Sequence, residues 1–194
     1  MLRTSEDMRV IAGTHRGRRL RGPEGTALRP TSDRVREALF SILGNRLPDS
    51  RVLDLYAGTG AIGIEALSRT AAHVTAVESQ AASLKLLRHN VKECGMVEQV
   101  SIEARTVRQF LARPELWAGP YDIVFADPPY EMTHELEEIF STVAPALTTP
   151  GAWLVVEHAS KSSLPDQLGT AAFSKRYRYG DTSLSLYAFP EQES

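Results

Sequence analysis

The chain has 194 residues, of which 42% are hydrophobic and 24% charged, with a net charge of −2. This composition excludes wholesale disorder and suits one domain of ordinary size with a small appendage. A single cysteine, Cys94, excludes an internal disulfide and a paired-cysteine metal site. No run of 18 apolar residues appears, and residues 1–7 lack the apolar core of a secretory signal, so a soluble, cytoplasmic protein is expected. The charge is unevenly spread: residues 1–36 hold nine arginines against four acids, a net of +5, and the remainder carries −7. Any polyanionic partner should therefore meet the N-terminal arm, where the local field outweighs the bulk charge.

Residues 8–13 and 18–22 read as two short strands of a polar hairpin turning at residues 14–17. Residues 23–31, with two prolines, read as a linker. A helix is predicted from about Ser32, capped by Thr31 or Ser32, with Val35, Leu39, Ile42 and Leu43 in one stripe and a stop near Gly44. Then strands and helices alternate. Strands are predicted over 51–56, 74–77, 100–103, 121–126 and 152–157, and helices over 61–70, 80–93, 106–113 and 133–146. Residues 173–179 and 183–189 read as two strands separated by only three residues, so they must pair antiparallel.

Repeated strand–helix units imply a mostly parallel sheet covered by helices on both faces, with an antiparallel hairpin at its C-terminal end. The ligand crevice of such a sheet lies at the carboxyl ends of its strands, near the point where strand order reverses. The expected fold is α/β and Rossmann-like, residues 1–30 being a basic hairpin extension with its linker and residues 31–194 the main domain.

Both motifs with chemical content end predicted strands. The first is Asp54-Leu-Tyr-Ala57-Gly58-Thr-Gly60. Its glycines permit a tight turn and close backbone approach to a ligand, and the helix beyond presents free N–H groups. Glu78, twenty residues past Gly58, suits a pair of ribose hydroxyls. A nicotinamide dinucleotide and S-adenosylmethionine compete for this pattern. An acid at Asp54 repels a pyrophosphate but suits an ammonium and a sulfonium, which favours S-adenosylmethionine.

The second motif is Asp127-Pro128-Pro129-Tyr130. Two prolines stiffen the turn and remove N–H donors, leaving carbonyls pointing outward. With the Asp127 carboxylate they can accept the hydrogens of an exocyclic amine, and Tyr130 offers a face on which a base can stack. Acceptors on both hydrogens stabilise the positive charge that develops when such an amine attacks an electrophile. The plainer reading is a strand-ending turn, since Asp-Pro is common in turns.

The arm carries four arginines in seven residues, Arg16, Arg18, Arg19 and Arg21, suited to RNA phosphates. The alternative is a solvated hairpin. Arg34 and Arg36 on the following helix are further candidates, open between substrate contact and surface solvation. The five histidines show no metal-ligand spacing. Cys94 reads as a packing residue.

On these strings the chain resembles the class I S-adenosylmethionine-dependent methyltransferases. Within them it resembles the RsmD family of bacterial 16S ribosomal RNA guanine-N2 methyltransferases. Arg9-Val-Ile-Ala-Gly13 with Arg16-Gly-Arg-Arg-Leu20, the segment from Arg29 to Phe40, and residues 54–60 are similar to that family's signatures. The resemblance implies a seven-stranded sheet with a small N-terminal extension, and transfer of one methyl group to a guanine of the small-subunit RNA, naked or in an assembling 30S particle. It assigns Asp54, Ala57, Gly58, Gly60 and Glu78 to the cofactor and Asp127, Pro128, Pro129 and Tyr130 to the guanine, with no metal, no membrane and a monomer expected. One departure is Glu103-Ala-Arg-Thr-Val107, where many such enzymes carry an acid or amide for the adenine, so no adenine ligand is assigned. Adenine-N6 or cytosine-N4 methylation of DNA, a nicotinamide-dependent reductase and a non-catalytic RNA-binding assembly factor are the alternatives.

Overall fold

Val52, Leu53 and Asp54 of strand β3 (Arg51–Asp54) are all buried, as in a strand covered on both faces. The computed structural model describes residues 8–23, 32–129, 135–141 and 145–191. The remaining elements are β1 (Met8–Arg9), β2 (Arg19–Leu20), α1 (Asp33–Leu43), α2 (Ala61–Ser68), β4 (His73–Glu78), α3 (Ala81–Glu93), β5 (Val100–Ala104), α4 (Val107–Leu111), β6 (Tyr121–Ala126), α5 (Glu135–Ser141), β7 (Thr148–Ala159), β8 (Gln167–Leu168), β9 (Ala171–Tyr179) and β10 (Thr182–Ala188). Among the described residues the main sheet runs β5-β4-β3-β6-β7-β10-β9-β8. The first five of these strands are parallel and β10, β9 and β8 join antiparallel. This is the expected Rossmann-like sheet with its antiparallel C-terminal hairpin.

Alternation along the strands divides the core between the two faces. Val52, Val74, Ile123 and Val155 face α1, α2 and α3, meeting Leu39, Ile64 and Leu87. Leu53, Val77, Val124 and Leu154 face the other way, onto Phe110 of α4 and Leu136 and Phe140 of α5. Local signals set the helix starts. The Ser32 hydroxyl accepts from the Val35 N–H at 3.3 Å, and Thr106 and Gln109 form a reciprocal cap on α4. Thr31 lies outside the described residues. Cys94 is 3% exposed and burial pushes its thiol up, as suits a packing residue.

Three expectations need correction. The N-terminal ladder is shorter than 8–13 with 18–22, because after Val10, which still bonds to Arg18 and Gly17, the chain leaves it to dock on α2. The N–H groups of Ile11 and Ala12 donate to the buried Glu65 carboxylate at 2.7 and 3.0 Å, and Thr14 N–H donates to Ser68 O at 2.8 Å. Gly13 has φ +83°, and a Cβ there would stand 1.8 Å from the Ser68 carbonyl oxygen, so only glycine fits. Met8, Val10 and Leu20 consequently join the same core as α1 and the sheet. Second, the strand predicted over 152–157 is longer at both ends, and Pro150 and Gly151 sit inside β7. The register passes from Tyr121↔Thr148 to Ile123↔Trp153 there, and Thr149 Oγ1 donates to Asp122 at 2.9 Å. Third, among the described residues the main sheet has eight strands, not the seven expected; β8 adds the eighth, and its two residues carry too little pattern to be predicted.

Candidate active site

The strand order reverses between β3 and β6: from β3 the chain fills β4 and β5 on one side, then crosses to β6 on the other. Their ends lie side by side, with Asp54 opposite Phe125 and Leu55 N–H donating to Phe125 O at 3.0 Å. The two chemical motifs therefore open into one crevice.

Asp54 is 1% exposed, and among the described residues neither carboxylate oxygen has a hydrogen-bond partner of full geometry. Its pKa is pushed up to about 8. Burial is the main cause and the charge of Asp127 adds to it. The Tyr56 backbone N–H, approaching without full hydrogen-bond geometry, opposes the shift, and Glu78 adds weakly. An uncompensated carboxylate this deep costs stability unless a cation or a proton meets it.

The glycine turn is held from both ends. Ala57 N–H donates to Val77 O at 3.0 Å and Gly60 N–H to Ala57 O at 2.7 Å. Gly60 caps α2 at φ +81°, where a Cβ would lie 2.4 Å from Leu87 Cδ1. At Gly58 a Cβ would meet nothing within 4 Å among the described residues, so the turn has an open face toward them there. Glu78 Oε2 accepts from Gly58 N–H at 2.9 Å, while Oε1 accepts from Ser79 and Gln80 N–H, both at 2.7 Å. Glu78 thus shapes the turn as well as bordering it. Ala104 pairs with Glu78 across β5 and β4, and Arg105 is engaged by Glu103 at 2.9 Å.

A ligand with a cationic amine and a ribose fits these residues: a buried unpartnered carboxylate, an open glycine turn and a half-buried Glu78. Asp127 is half-buried, Pro128 buried and Pro129 exposed at the end of β6. Tyr130 lies outside the described residues.

The arm is joined to this site. Asn90 of α3, 1% exposed, accepts from Arg21 N–H at 2.8 Å and donates to Arg21 O at 3.0 Å and to Thr59 O at 2.9 Å. One side chain ties the end of the hairpin to the peptide between Gly58 and Gly60, and the Thr59 hydroxyl meets Met8 Sδ at 3.8 Å. Arg16, Arg18, Arg19, Arg21 and Arg34 are exposed, and Arg18 donates to Glu93 O. Arg16 and Arg34 line one cavity of about 410 Å³ between hairpin and α1, together with Arg9, Asp33 and Glu37.

Arg36 is not a surface residue. It is fully buried, its Nη2 donating to Arg9 O and to Asp33, so it braces hairpin against helix and cannot reach a nucleic acid. Asn90, Glu65 and Arg36 escape a reading by motif. The signal for Asn90 is a polar residue on the buried Leu84, Leu87, Val91 stripe, and for Glu65 an acid in an otherwise apolar helix. Among the described residues no group of three His, Cys, Asp or Glu side chains could hold a metal, and no helix is long and apolar enough to cross a membrane.

A parallel sheet of this order, with a glycine turn after its first strand and Asp-Pro-Pro after its fourth, defines the class I methyltransferase fold. The family model described as Conserved hypothetical protein 95 matches residues 8–188. The Ribosomal RNA small subunit methyltransferase D of Escherichia coli K12 is 35% identical over 185 residues, spanning 94% of this chain and 90% of that protein. The solved structure of yhhF from Escherichia coli, described as a methyltransferase, superposes with a TM-score of 0.81 at 34% identity, covering 96% of this chain and 99% of that one. An RNA methyltransferase from Salinibacter ruber, solved with S-adenosyl-L-homocysteine, shares the fold at a TM-score of 0.64 and 17% identity, covering 86% of this chain and 97% of that one. The chain belongs to the Conserved hypothetical protein 95 family, that of the RsmD-type methyltransferases.

Proposed function

We propose that this protein transfers a methyl group from S-adenosylmethionine to the exocyclic N2 of a guanine in 16S ribosomal RNA, in the cytoplasm. The observation that carries the proposal is the pairing at the strand crossover: a buried, unpartnered Asp54 beside a rigid Asp-Pro-Pro turn. The names of the relatives support the substrate class. S-adenosylmethionine, when bound, supplies an electrophilic methyl group.

This chain's residues do the rest. Asp54 receives the ammonium, Glu78 the ribose hydroxyls, and the open face at Gly58, beside Ala57 and Gly60, lets the backbone approach. Asp127 and the Pro128 carbonyl accept the two hydrogens of the guanine amine, hold its nitrogen toward the methyl group and stabilise the charge that grows on it. Pro129 stiffens the turn, and Tyr130 stacks on the base. A paired guanine has to leave its stack first, at a cost of a few kcal/mol. Residues 1–30 act as the RNA-handling extension, through Arg16, Arg18, Arg19 and Arg21, with Arg34 beside them. That division is one of function, since the hairpin shares the main core.

The test is methyl transfer. Purified protein with methyl-labelled cofactor and 30S subunits should yield labelled N2-methylguanosine after nuclease digestion. Label on N6-methyladenosine or N4-methylcytosine instead would refute the assignment.

A further inference from the structure

The exposed strand β9 places two arginines level with the Asp-Pro-Pro turn. Within four residues β9 carries Lys175, Arg176 and Arg178, all exposed, and no acid. Three registers fix their position: Ala126 pairs with Val156, Val156 with Ser185, and Ser185 with Arg176. Arg176 therefore shares a transverse row with the residue preceding Asp127, three strand spacings or about 14 Å away. β9 runs in the same direction as β7, so Arg178 stands further toward the carboxyl edge, opposite Ser183 and, beyond it, His158.

Both arginines are anchored by one nitrogen. Arg176 Nε donates to Ser185 Oγ at 3.3 Å, and that hydroxyl is bonded at 2.8 Å to Nε2 of His158, itself 2% exposed. Arg178 Nε donates to Gly180 O at 3.2 Å, a carbonyl that also accepts from Ser160 Oγ at 3.0 Å. The Nη nitrogens of both make no hydrogen bond or ion pair among the described residues. Two guanidiniums on one face of a strand, each held by Nε with its outer edge unused, suit phosphate oxygens. Beyond the two residues that β8 covers, β9 is an open sheet edge among the described residues, and charge there also discourages sheet-to-sheet pairing. That role asks for charge of either sign and does not account for two arginines pinned through a buried serine–histidine pair and a shared carbonyl.

We propose that Arg176 and Arg178 form a second phosphate-binding site. It holds the backbone of the substrate RNA across the crevice from the N-terminal arm, so that the target nucleotide is gripped from two sides. This rests on the reading of the protein as an rRNA methyltransferase. The two are separated by measuring methyl transfer by the wild type alongside binding of naked 16S rRNA over a range of salt concentrations.

The double variant Arg176→Gln/Arg178→Gln should bind 16S rRNA roughly 10- to 30-fold more weakly at 0.15 M salt, its log–log salt slope falling by about 1.4 to 1.8, as for two phosphates. Cofactor affinity should be unchanged. Arg176→Lys/Arg178→Lys keeps the charge and should restore the slope. An unchanged affinity and slope in the Gln variant, with the wild type active, overturns the site and leaves the function standing. A Lys variant as flat as the Gln variant also overturns it, because the loss is then one of structure. A wild type that binds rRNA with the Arg-dependent slope but transfers no methyl group supports the site and refutes the function.

Discussion

Asp54→Asn isolates a proton that the crevice must lose when a cation enters. With its pKa at about 8, Asp54 carries its proton at pH 6.5, in roughly 97% of molecules by the ordinary titration law. An ammonium within hydrogen-bond reach lowers a carboxyl pKa by about 1 to 3 units, here to between about 7 and about 5, so binding S-adenosylmethionine at pH 6.5 should release between about 0.2 and about 0.9 proton. The wild-type association constant should accordingly rise between pH 6 and 7, by up to about tenfold, below the ligand's own ammonium pKa of about 8. Calorimetric titration in two buffers of different ionisation enthalpy counts the proton directly. Asp54→Asn should bind more weakly and release almost none. The sign for stability follows from the same shift. A carboxyl raised above its unfolded value contributes stability in full below about pH 4 and loses it progressively up to about pH 8. Asp54→Asn should therefore resist urea better than the wild type by up to about 4 kcal/mol at pH 7, the difference vanishing toward pH 4. A wild type that binds the cofactor with no proton release, or a variant that releases as many, refutes the assignment of Asp54 to the ammonium.

Asp127→Asn should lower turnover on 30S subunits by about two to three orders of magnitude, the scale for losing one preorganised charge-stabilising group; near-normal turnover at saturating substrate removes Asp127 from the chemistry. Asn90→Ala strips partners from the Thr59 carbonyl and both Arg21 backbone groups; Arg21 is exposed and Thr59 half-buried, so water replaces part of the loss and the cost should be about 1–3 kcal/mol in all. Cofactor and rRNA affinity should fall together, and unchanged cofactor affinity would show that the bridge does not position the turn. Replacing Arg16, Arg18, Arg19 and Arg21 with Ala leaves that backbone bridge intact, so cofactor binding should persist while the salt slope for rRNA falls by about 0.7 to 0.9 for each phosphate no longer neutralised. Arg36→Met, at the buried brace, should leave the slope unchanged; a shallower slope would return Arg36 to the RNA surface.

The parallel sheet and its crevice are legible in the sequence because strand–helix alternation and turn chemistry are local. Both strand-end motifs lie where topology places a ligand, and the pattern needs only residues 51–60 and 121–130. What escapes depends on contacts far apart in the chain. Arg36 looks like any charged helix residue until Arg9 folds over it. Gly13 is informative only once Ser68 is seen beneath it. The arm and the glycine turn look like separate elements in sequence, and Asn90, buried between them, and the Thr59–Met8 contact show that they are tied together. The arginines of β9 gain meaning from a register that crosses three strands.

Whether the crevice at the ends of β3 and β6 methylates a guanine amine in small-subunit RNA can be read in a single experiment. It is nucleoside analysis of 30S subunits incubated with the protein and methyl-labelled S-adenosylmethionine. Label should appear in N2-methylguanosine alone, and be reduced by Asp54→Asn at limiting cofactor and by about two to three orders of magnitude by Asp127→Asn. No transfer to 30S subunits or to 16S rRNA, or label on any other base, would contradict the proposed activity.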